Sequence, residues 1–403
     1  MRTRIAAALA ALALILLPAG AQAAQGEGRE SSSPVSIGAF IGDSYQDPGL
    51  YDEWAQKVGR NPAVLGSYKT WTIPLIDTEQ LEEIWSRDAV PIVTWEPWGE
   101  EGGPVFRLKD IASGKYDPYI HNSAQQAAAW GRPLFIRFAH EMNGGWYPWG
   151  RGSNGNTAKV YKEAWRHIVR IFETEGANNV KWVWCPNENS NGRFAFKPYY
   201  PGDRWVDWVG LDGFNWSLSP HWQSFGEIFA SSYDSIVGMT ERPVMIVETG
   251  SWETGGNKAE WVSDALDREL PEFTHVRAFL WWSVDDPRGD LRVDSSPAAL
   301  KAVRTSFDSP HYAGTRADVL ATPDRLGPAA EVPVPGAGES TGQKVRKELE
   351  DDYVWIGLGA LAICVLVLSL VILRARRRQA RRVAPGGDER PAEPERATHD
   401  APL

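Results

Sequence analysis

Two glutamates in this 403-residue chain close apolar runs that read as buried strands. Glu141 stands near the end of Leu134-Phe-Ile-Arg-Phe-Ala-His-Glu141, ahead of a loop rich in Gly, Trp and Pro that reaches Gly150. Glu248 closes Val244-Met-Ile-Val-Glu248, ahead of Thr249 and Gly250. A carboxylate after so apolar a run is costly to desolvate unless it is paired, wetted by a cleft or used. Two carboxylates facing each other across a sugar-sized gap are what cleavage of a glycosidic bond needs. One protonates the leaving oxygen, and the other attacks the anomeric carbon or activates water. A separation of ~5 Å gives retention and ~6.5–9.5 Å gives inversion.

Other groups compete for a chemical role. Glu96, Glu188, Asp212 and Asp285 also fall near strand ends, where acids more often bind backbone or sugar hydroxyls than react. Glu188 is the main rival, because it follows the fifth candidate strand closely. The seven histidines are scattered without a pair at metal-ligand spacing and a third ligand, so no metal is expected. No loop demands calcium, no Gly-x-Gly-x-x-Gly turn follows the first strand, and no cofactor is implied. Only two cysteines occur, Cys185 and Cys364, which excludes a disulfide framework. The net charge of −10 and the lack of a basic patch in the large domain argue against nucleic acid. Twenty tryptophans are suited instead to stacking on sugar rings, although core packing uses them as well.

The elements that must position the two glutamates alternate between short β-branched runs and longer helical stretches. Candidate strands are Ser36–Ile41, Ala63–Ser67, Pro91–Trp95, Leu134–Ala139, Lys181–Cys185, Trp208–Asp212, Val244–Glu248 and Arg277–Trp282. Helical periodicity marks Thr78–Arg87, Ser123–Ala129, Thr157–Glu175, Phe225–Val237 and Ala259–Glu269. This alternation implies a parallel sheet covered on both faces. A doubly wound open sheet competes with a (β/α)8 TIM barrel on periodicity alone. Eight units in about 270 residues, with polar and aromatic residues at the strand C-termini, favour the barrel. In it, Glu141 ends strand four and Glu248 strand seven, so the two meet across one mouth.

The two ends of the chain read as targeting and anchoring. Residues 1–23 carry the basic, apolar and small-residue regions of a secretory signal. The α/β domain is expected over 34–312, and a Pro/Gly/Ala-rich stalk over 313–350. Residues 354–373 are an uncharged apolar run long enough to cross a bilayer as one helix. Six arginines follow it, which places the tail, 374–403, in the cytoplasm and the large domain outside the cell membrane.

Several segments in order resemble glycoside hydrolase family 26, whose members include β-mannanases and enzymes acting on other β-linked glycans. They are His140-Glu-Met-Asn-Gly144, Trp146-Tyr-Pro-Trp149, Trp184-Cys-Pro-Asn187, Tyr200-Pro-Gly-Asp203, Val206-Asp-Trp-Val-Gly-Leu-Asp212 and Arg292-Val-Asp-Ser-Ser296. The resemblance implies a single (β/α)8 barrel and a retaining mechanism, with Glu141 as acid/base and Glu248 as nucleophile. It also points to His140 beside the acid and to Trp281 at the subsite of cleavage; Trp146 and Trp149, in the loop that follows the acid, are candidates to stack on a sugar, with loop packing an equal reading for Trp149. One departure stands out. Many relatives place a tyrosine after strand six that bonds the nucleophile, whereas this chain has Phe214, with Asn215 as a candidate replacement donor. The expected activity is endo-β-1,4-mannanase-like, on a polysaccharide or oligosaccharide. A tethered enzyme processing a self-made exopolysaccharide and a non-catalytic glycan-binding barrel are the alternatives.

Overall fold

The computed structural model describes residues 33–322 and Arg325, apart from 43, 100–102, 189–191, 217–221, 287 and 288. The expected signal (1–23), membrane helix (354–373) and tail (374–403), and most of the stalk, lie outside the described residues. Among the described residues no helix is long and apolar enough to cross a membrane.

Eight parallel strands close into a barrel: β1 (Ser36–Ile41), β2 (Val64–Thr70), β3 (Val90–Glu96), β4 (Leu134–Phe138), β5 (Val180–Trp184), β6 (Trp208–Asp212), β7 (Val244–Glu248) and β8 (Val276–Ser283). Closure decides between the barrel and the open sheet, because β8 returns to pair with β1 from Ser36↔Ala278 to Ile41↔Ser283. The covering helices include α1 (Gly49–Val58), α2 (Thr78–Ser86), α3 (Leu108–Ala112), α4 (Asp117–Trp130), α5 (Ala158–Thr174), α6 (Phe225–Val237), α7 (Lys258–Asp264), α8 (Pro297–Phe307) and α9 (Arg316–Leu320). Local sequence explains their ends. Thr157 caps α5 by accepting from the Val160 amide, and Ser224 with Glu227 forms a reciprocal capping box on α6. On α5 the apolar stripe Tyr161, Ala164, Trp165, Ile168, Val169 and Phe172 is buried against the strands.

Alternation along the strands sorts the core into two sets. Val64, Ile92, Phe135, Val183, Met245, Ala278 and Leu280 fill the barrel interior, while their neighbours in the chain pack beneath the helices. Gly210 is required by this crowding, since a Cβ there would come within 2.6 Å of the Cys185 sulfur and 2.8 Å of Val247. At the strand C-termini the interior turns polar, with Thr94, Arg137 and Asp212 all buried.

The ordered domain continues past residue 312, where the sequence pattern suggested that a stalk begins. Ser36 bridges to Gly314, the Val35 amide donates to the His311 carbonyl at 2.7 Å, and Val319 on α9 is buried. Arg325 then donates its amide to Asp207 at 2.9 Å. A short amphipathic turn of this kind, capped by Thr315 and Asp318, is hidden inside a Pro- and Ala-rich composition.

Candidate active site

Glu141 lies just beyond β4 on backbone that is unusual for its type. Ala139 and Glu141 have φ of 43° and 51°, in the left-handed region, which costs non-glycine residues about 1–3 kcal/mol each. The surroundings hold this shape: the Glu141 amide donates to the Cys185 carbonyl at 2.8 Å. Its carboxylate accepts from the Trp146 indole at 2.6 Å and from the Asn187 amide at 2.9 Å. Trp146 reaches back over Gly144, where a Cβ would stand 2.3 Å from the indole ring, so only glycine fits. Asn143 fixes the opposite loop, donating to the carbonyls of Asn187 and Phe194 and accepting from the Asn187 amide.

Glu248 owes its direction to a bulge. Pairing of β6 with β7 runs in register to Leu211↔Ile246 and then slips, so that Asp212 faces Glu248. Val244 and Ile246 point to the helices, and strict alternation would send Glu248 with them. The extra residue, Val247, turns it inward instead. There Glu248 accepts hydrogen bonds from Arg137 and from the Tyr68 hydroxyl. The Arg137 guanidinium also donates to Asp212 at 2.7 Å, to Thr94 at 2.9 Å and to the Tyr68 hydroxyl at 3.1 Å. Burying a cation this deeply is tolerable because each face of the fork meets an acceptor.

One carboxylate oxygen from each of Glu141, Asp212 and Glu248 lies within 4.8 Å of the other two. Three acids at such range are also a possible cation cage. Here the cation is the guanidinium, ion-paired with two of the three.

The two glutamates differ in electrostatic setting. Burial, reinforced by repulsion from Glu248, raises the Glu141 carboxyl to about 7, against the lowering effect of its bonds to Asn187 and Trp146. Burial likewise raises Glu96, at the end of β3, to about 7, and the Trp98 indole donates to it at 3.2 Å. Burial and the Glu248 charge push Tyr68 well up, so it remains a phenol and a donor. Burial and Arg137 push His140 well down, leaving a neutral imidazole.

Above these groups opens a cleft of about 580 Å³. Trp146 and Phe194 meet edge to face on one side of it, and Phe214, Trp216 and Trp282 cluster on the other. Of the residues expected at the site, Glu141, Glu248, Trp146 and Phe214 line this cleft, and so does the rival acid Glu188. Four expectations are corrected. Trp281 faces away: Ala278 and Leu280 point into the barrel, so alternation turns Trp282 to the mouth and Trp281 under the helices, where its indole donates to the Leu291 carbonyl. Trp149 is buried, stacked on Tyr147 and bonded to the His140 carbonyl, and so supports the loop from beneath. His140 is fully buried against Tyr147, whose hydroxyl lies 3.1 Å from its Nε2. Asn215 is spent on Ser251 and the Gln223 amide, so the replacement donor is Tyr68 on β2. Asp285 lies away from the cleft, beside Arg292.

Sequence reasoning also passed over Arg137 and Asn187 as site residues, although both fell in quoted motifs. An arginine inside an apolar strand was the available signal, since a buried guanidinium requires acid partners.

Comparison with known proteins agrees with this geometry. Residues 116–261 match the model of glycosyl hydrolase family 26. The chain is 34% identical over 284 residues to Endoglucanase H of Acetivibrio thermocellus, a match covering 68% of this chain and 31% of that one. It is 31% identical over 159 residues to a mannan endo-1,4-beta-mannosidase of Bacillus subtilis, covering 38% and 39%. The matches thus span about a third of the length of these relatives. Among solved structures, a modular endo-beta-1,4-mannanase from Cellulomonas fimi superposes with a TM-score of 0.55 at 17% identity, over 73% of this chain and 75% of that one. The last likeness speaks for the fold alone. The closed barrel, the paired glutamates at strands four and seven and the matched segment together place this chain in glycoside hydrolase family 26.

Proposed function

We propose that the protein is a retaining glycoside hydrolase acting on the backbone of a β-linked polysaccharide, with Glu248 as nucleophile and Glu141 as acid/base. The observation that carries this reading is the short gap between the two carboxyls. Their nearest oxygens lie within 4.8 Å, which supports the ~5–5.5 Å spacing of retaining pairs and leaves little room for an inverting water. Arg137 and Tyr68 stabilise negative charge on Glu248 and aim it at an anomeric carbon. Glu141 keeps its proton near neutral pH and can deliver it to the leaving oxygen. As Glu248 becomes an ester its charge disappears, the repulsion on Glu141 ends, and Glu141 can take a proton from the incoming water.

Mannan is the first candidate backbone, by likeness to the mannosidases. A glucan is the second reading, favoured by the longer match to Endoglucanase H, 284 residues against 159. The test is hydrolysis of a panel of purified β-1,4-mannan, β-1,4-glucan, β-1,3-xylan and mixed β-glucans, with product anomers followed by NMR. Retained configuration on at least one polymer is expected. An inverted product, or no cleavage of any, sinks the reading. Export and tethering through residues 354–373 belong to the same proposal and rest on the sequence pattern alone. Fractionation of cells producing the full chain tests it: release of the protein by a carbonate wash would overturn it.

Two further outcomes follow. With the Glu141 carboxyl near 7, kcat/KM should fall as pH rises past about 7, because the acid loses its proton. The Trp146 indole stabilises the ionised form, so Trp146→Phe removes that help and should move this limb to higher pH. A pH–rate profile that stays in place or shifts down contradicts the assignment. Tyr68→Phe should lower kcat roughly 10- to 100-fold, less than the ~10²–10³ lost with an oxyanion-hole donor, because Arg137 still holds the nucleophile. Phe214→Tyr should change kcat little, since the nucleophile already has its phenol.

A further inference from the structure

Tyr147 lines the cleft beside the reacting groups, and the chemistry above gives it nothing to do. Its ring is stacked on Trp149, with centroids 4.4 Å apart and planes 10° from parallel, and it meets Trp98 edge to face at 6.0 Å. Its hydroxyl lies 3.1 Å from the Nε2 of His140. A ring clamped in this way offers its hydroxyl at one point in space, with little freedom left to lose when a ligand arrives.

The direction of the bond to His140 follows from the other ring nitrogen. His140 is fully buried, and its Nδ1 has no hydrogen-bond partner among the described residues. The ring is neutral, held so by burial and the Arg137 charge, and therefore carries hydrogen on one nitrogen only. Hydrogen on Nδ1 would be a buried donor with no acceptor, whereas a bare Nδ1 leaves only a lone pair unused, the milder of the two faults. The hydrogen thus sits on Nε2 and is donated to the Tyr147 oxygen. This leaves the phenolic hydrogen of Tyr147 to point elsewhere.

No neighbouring acid takes it. Burial, then the charges of Glu141, Glu248 and Glu96, push the Tyr147 hydroxyl well up, so it remains a phenol in the field of three carboxyls. Those carboxyls are bonded to other donors: Glu141 to Trp146 and Asn187, Glu248 to Arg137 and Tyr68, and Glu96 to the Trp98 indole. The acceptor must arrive with the substrate. Of the oxygens on the reacting sugar, the glycosidic one meets Glu141, and the ring oxygen loses electron density as the oxocarbenium-like state forms. A ring hydroxyl is the acceptor that persists through the reaction.

We infer that the Tyr147 hydroxyl donates a hydrogen bond to a ring hydroxyl of the sugar unit whose anomeric carbon meets Glu248, with His140 as the positioning residue that directs it. This rests on the hydrolase reading above. It makes Tyr147 a determinant of specificity, because a sugar that lacks this hydroxyl, or carries it on the other face of the ring, leaves a fixed donor unpaired.

The test uses the full chain and aryl β-glycosides of the disaccharide that it cleaves, intact or with one free hydroxyl of the aryl-bearing sugar replaced by hydrogen. Tyr147→Phe keeps the stacking and removes only the oxygen. It should lower kcat/KM on the intact glycoside about tenfold, the loss of one hydrogen bond, yet match the parent chain on one of the deoxy glycosides. Differences in intrinsic reactivity cancel, because the two proteins are compared on each substrate. An equal loss on every substrate, as a packing defect would give, overturns the inference, and so does no loss on any. Ring ¹⁵N NMR of the unaltered protein reads the hydrogen directly: at neutral pH the Nε2 of His140 should carry it. Hydrogen on Nδ1 overturns the inference as well, since Tyr147 would then donate to the ring. All of these results leave the hydrolase reading intact. Failure of the parent chain to cleave any glycan defeats that reading and the inference with it.

Discussion

Glu248→Ala should reduce kcat on a cleaved polysaccharide by a factor on the order of 10⁴ or more, because, of the two described carboxylates within 4.8 Å of Glu141, Glu248 lines the cleft and Asp212 does not. The fold should survive, since Arg137 keeps Asp212 as a partner at 2.7 Å. Glu141→Ala should behave differently. Its proton matters most for a poor leaving group, so an activated aryl glycoside should still form the ester, which then hydrolyses slowly for want of a base. Azide needs no base and fits the space left by the carboxyl, so it should restore turnover. The contrast between the two variants, read by steady-state kinetics with and without azide, separates nucleophile from acid/base. If both retain activity within tenfold of the parent, neither glutamate has the role given to it.

Arg137→Met should be the most destabilising single change at the site. It leaves Asp212 and Glu248 buried beside each other with no compensating cation, a loss of about 3–5 kcal/mol. For a domain of this size that corresponds to a fall in melting temperature of roughly 10 °C. Activity should disappear as well, because Glu248 would lose the guanidinium that holds its carboxylate toward the cleft. Arg137→Lys should fall between, since one ammonium cannot reach Thr94, Asp212, Glu248 and Tyr68 together. Calorimetry of the three proteins checks the order, and a Met variant that melts with the parent removes the argument for Arg137 as keystone of the charge balance.

The barrel was legible because its strands are short, apolar and separated by strongly periodic helices such as α5. Glu141 and Glu248 were legible because an acid at the end of such a strand has few inert explanations. Long-range partners were not. Tyr68 precedes Glu248 by 180 residues and reaches it only because the barrel is closed. Nor does composition reveal a one-residue slip in register: the bulge at Val247 decides where Glu248 points, yet Val-Glu reads as ordinary strand. Trp281 and Trp282 could not be told apart without knowing which of Ala278 and Phe279 faced inward, and the fold answers with Ala278. Trp149 shows the converse limit, for an indole in a glycine-rich loop suits a sugar or a neighbouring tyrosine equally well.

The pairing of Ser36 with Gly314 also has a practical meaning. It sets the start of the first strand next to the close of the domain, on the rim remote from the reacting groups. A fusion made at residue 33 or after Arg325 would therefore emerge beneath the molecule. Beads, partner domains or surface-display scaffolds attached by either route should leave the mouth facing outward, and a short peptide joining those two points should permit new termini to be opened elsewhere.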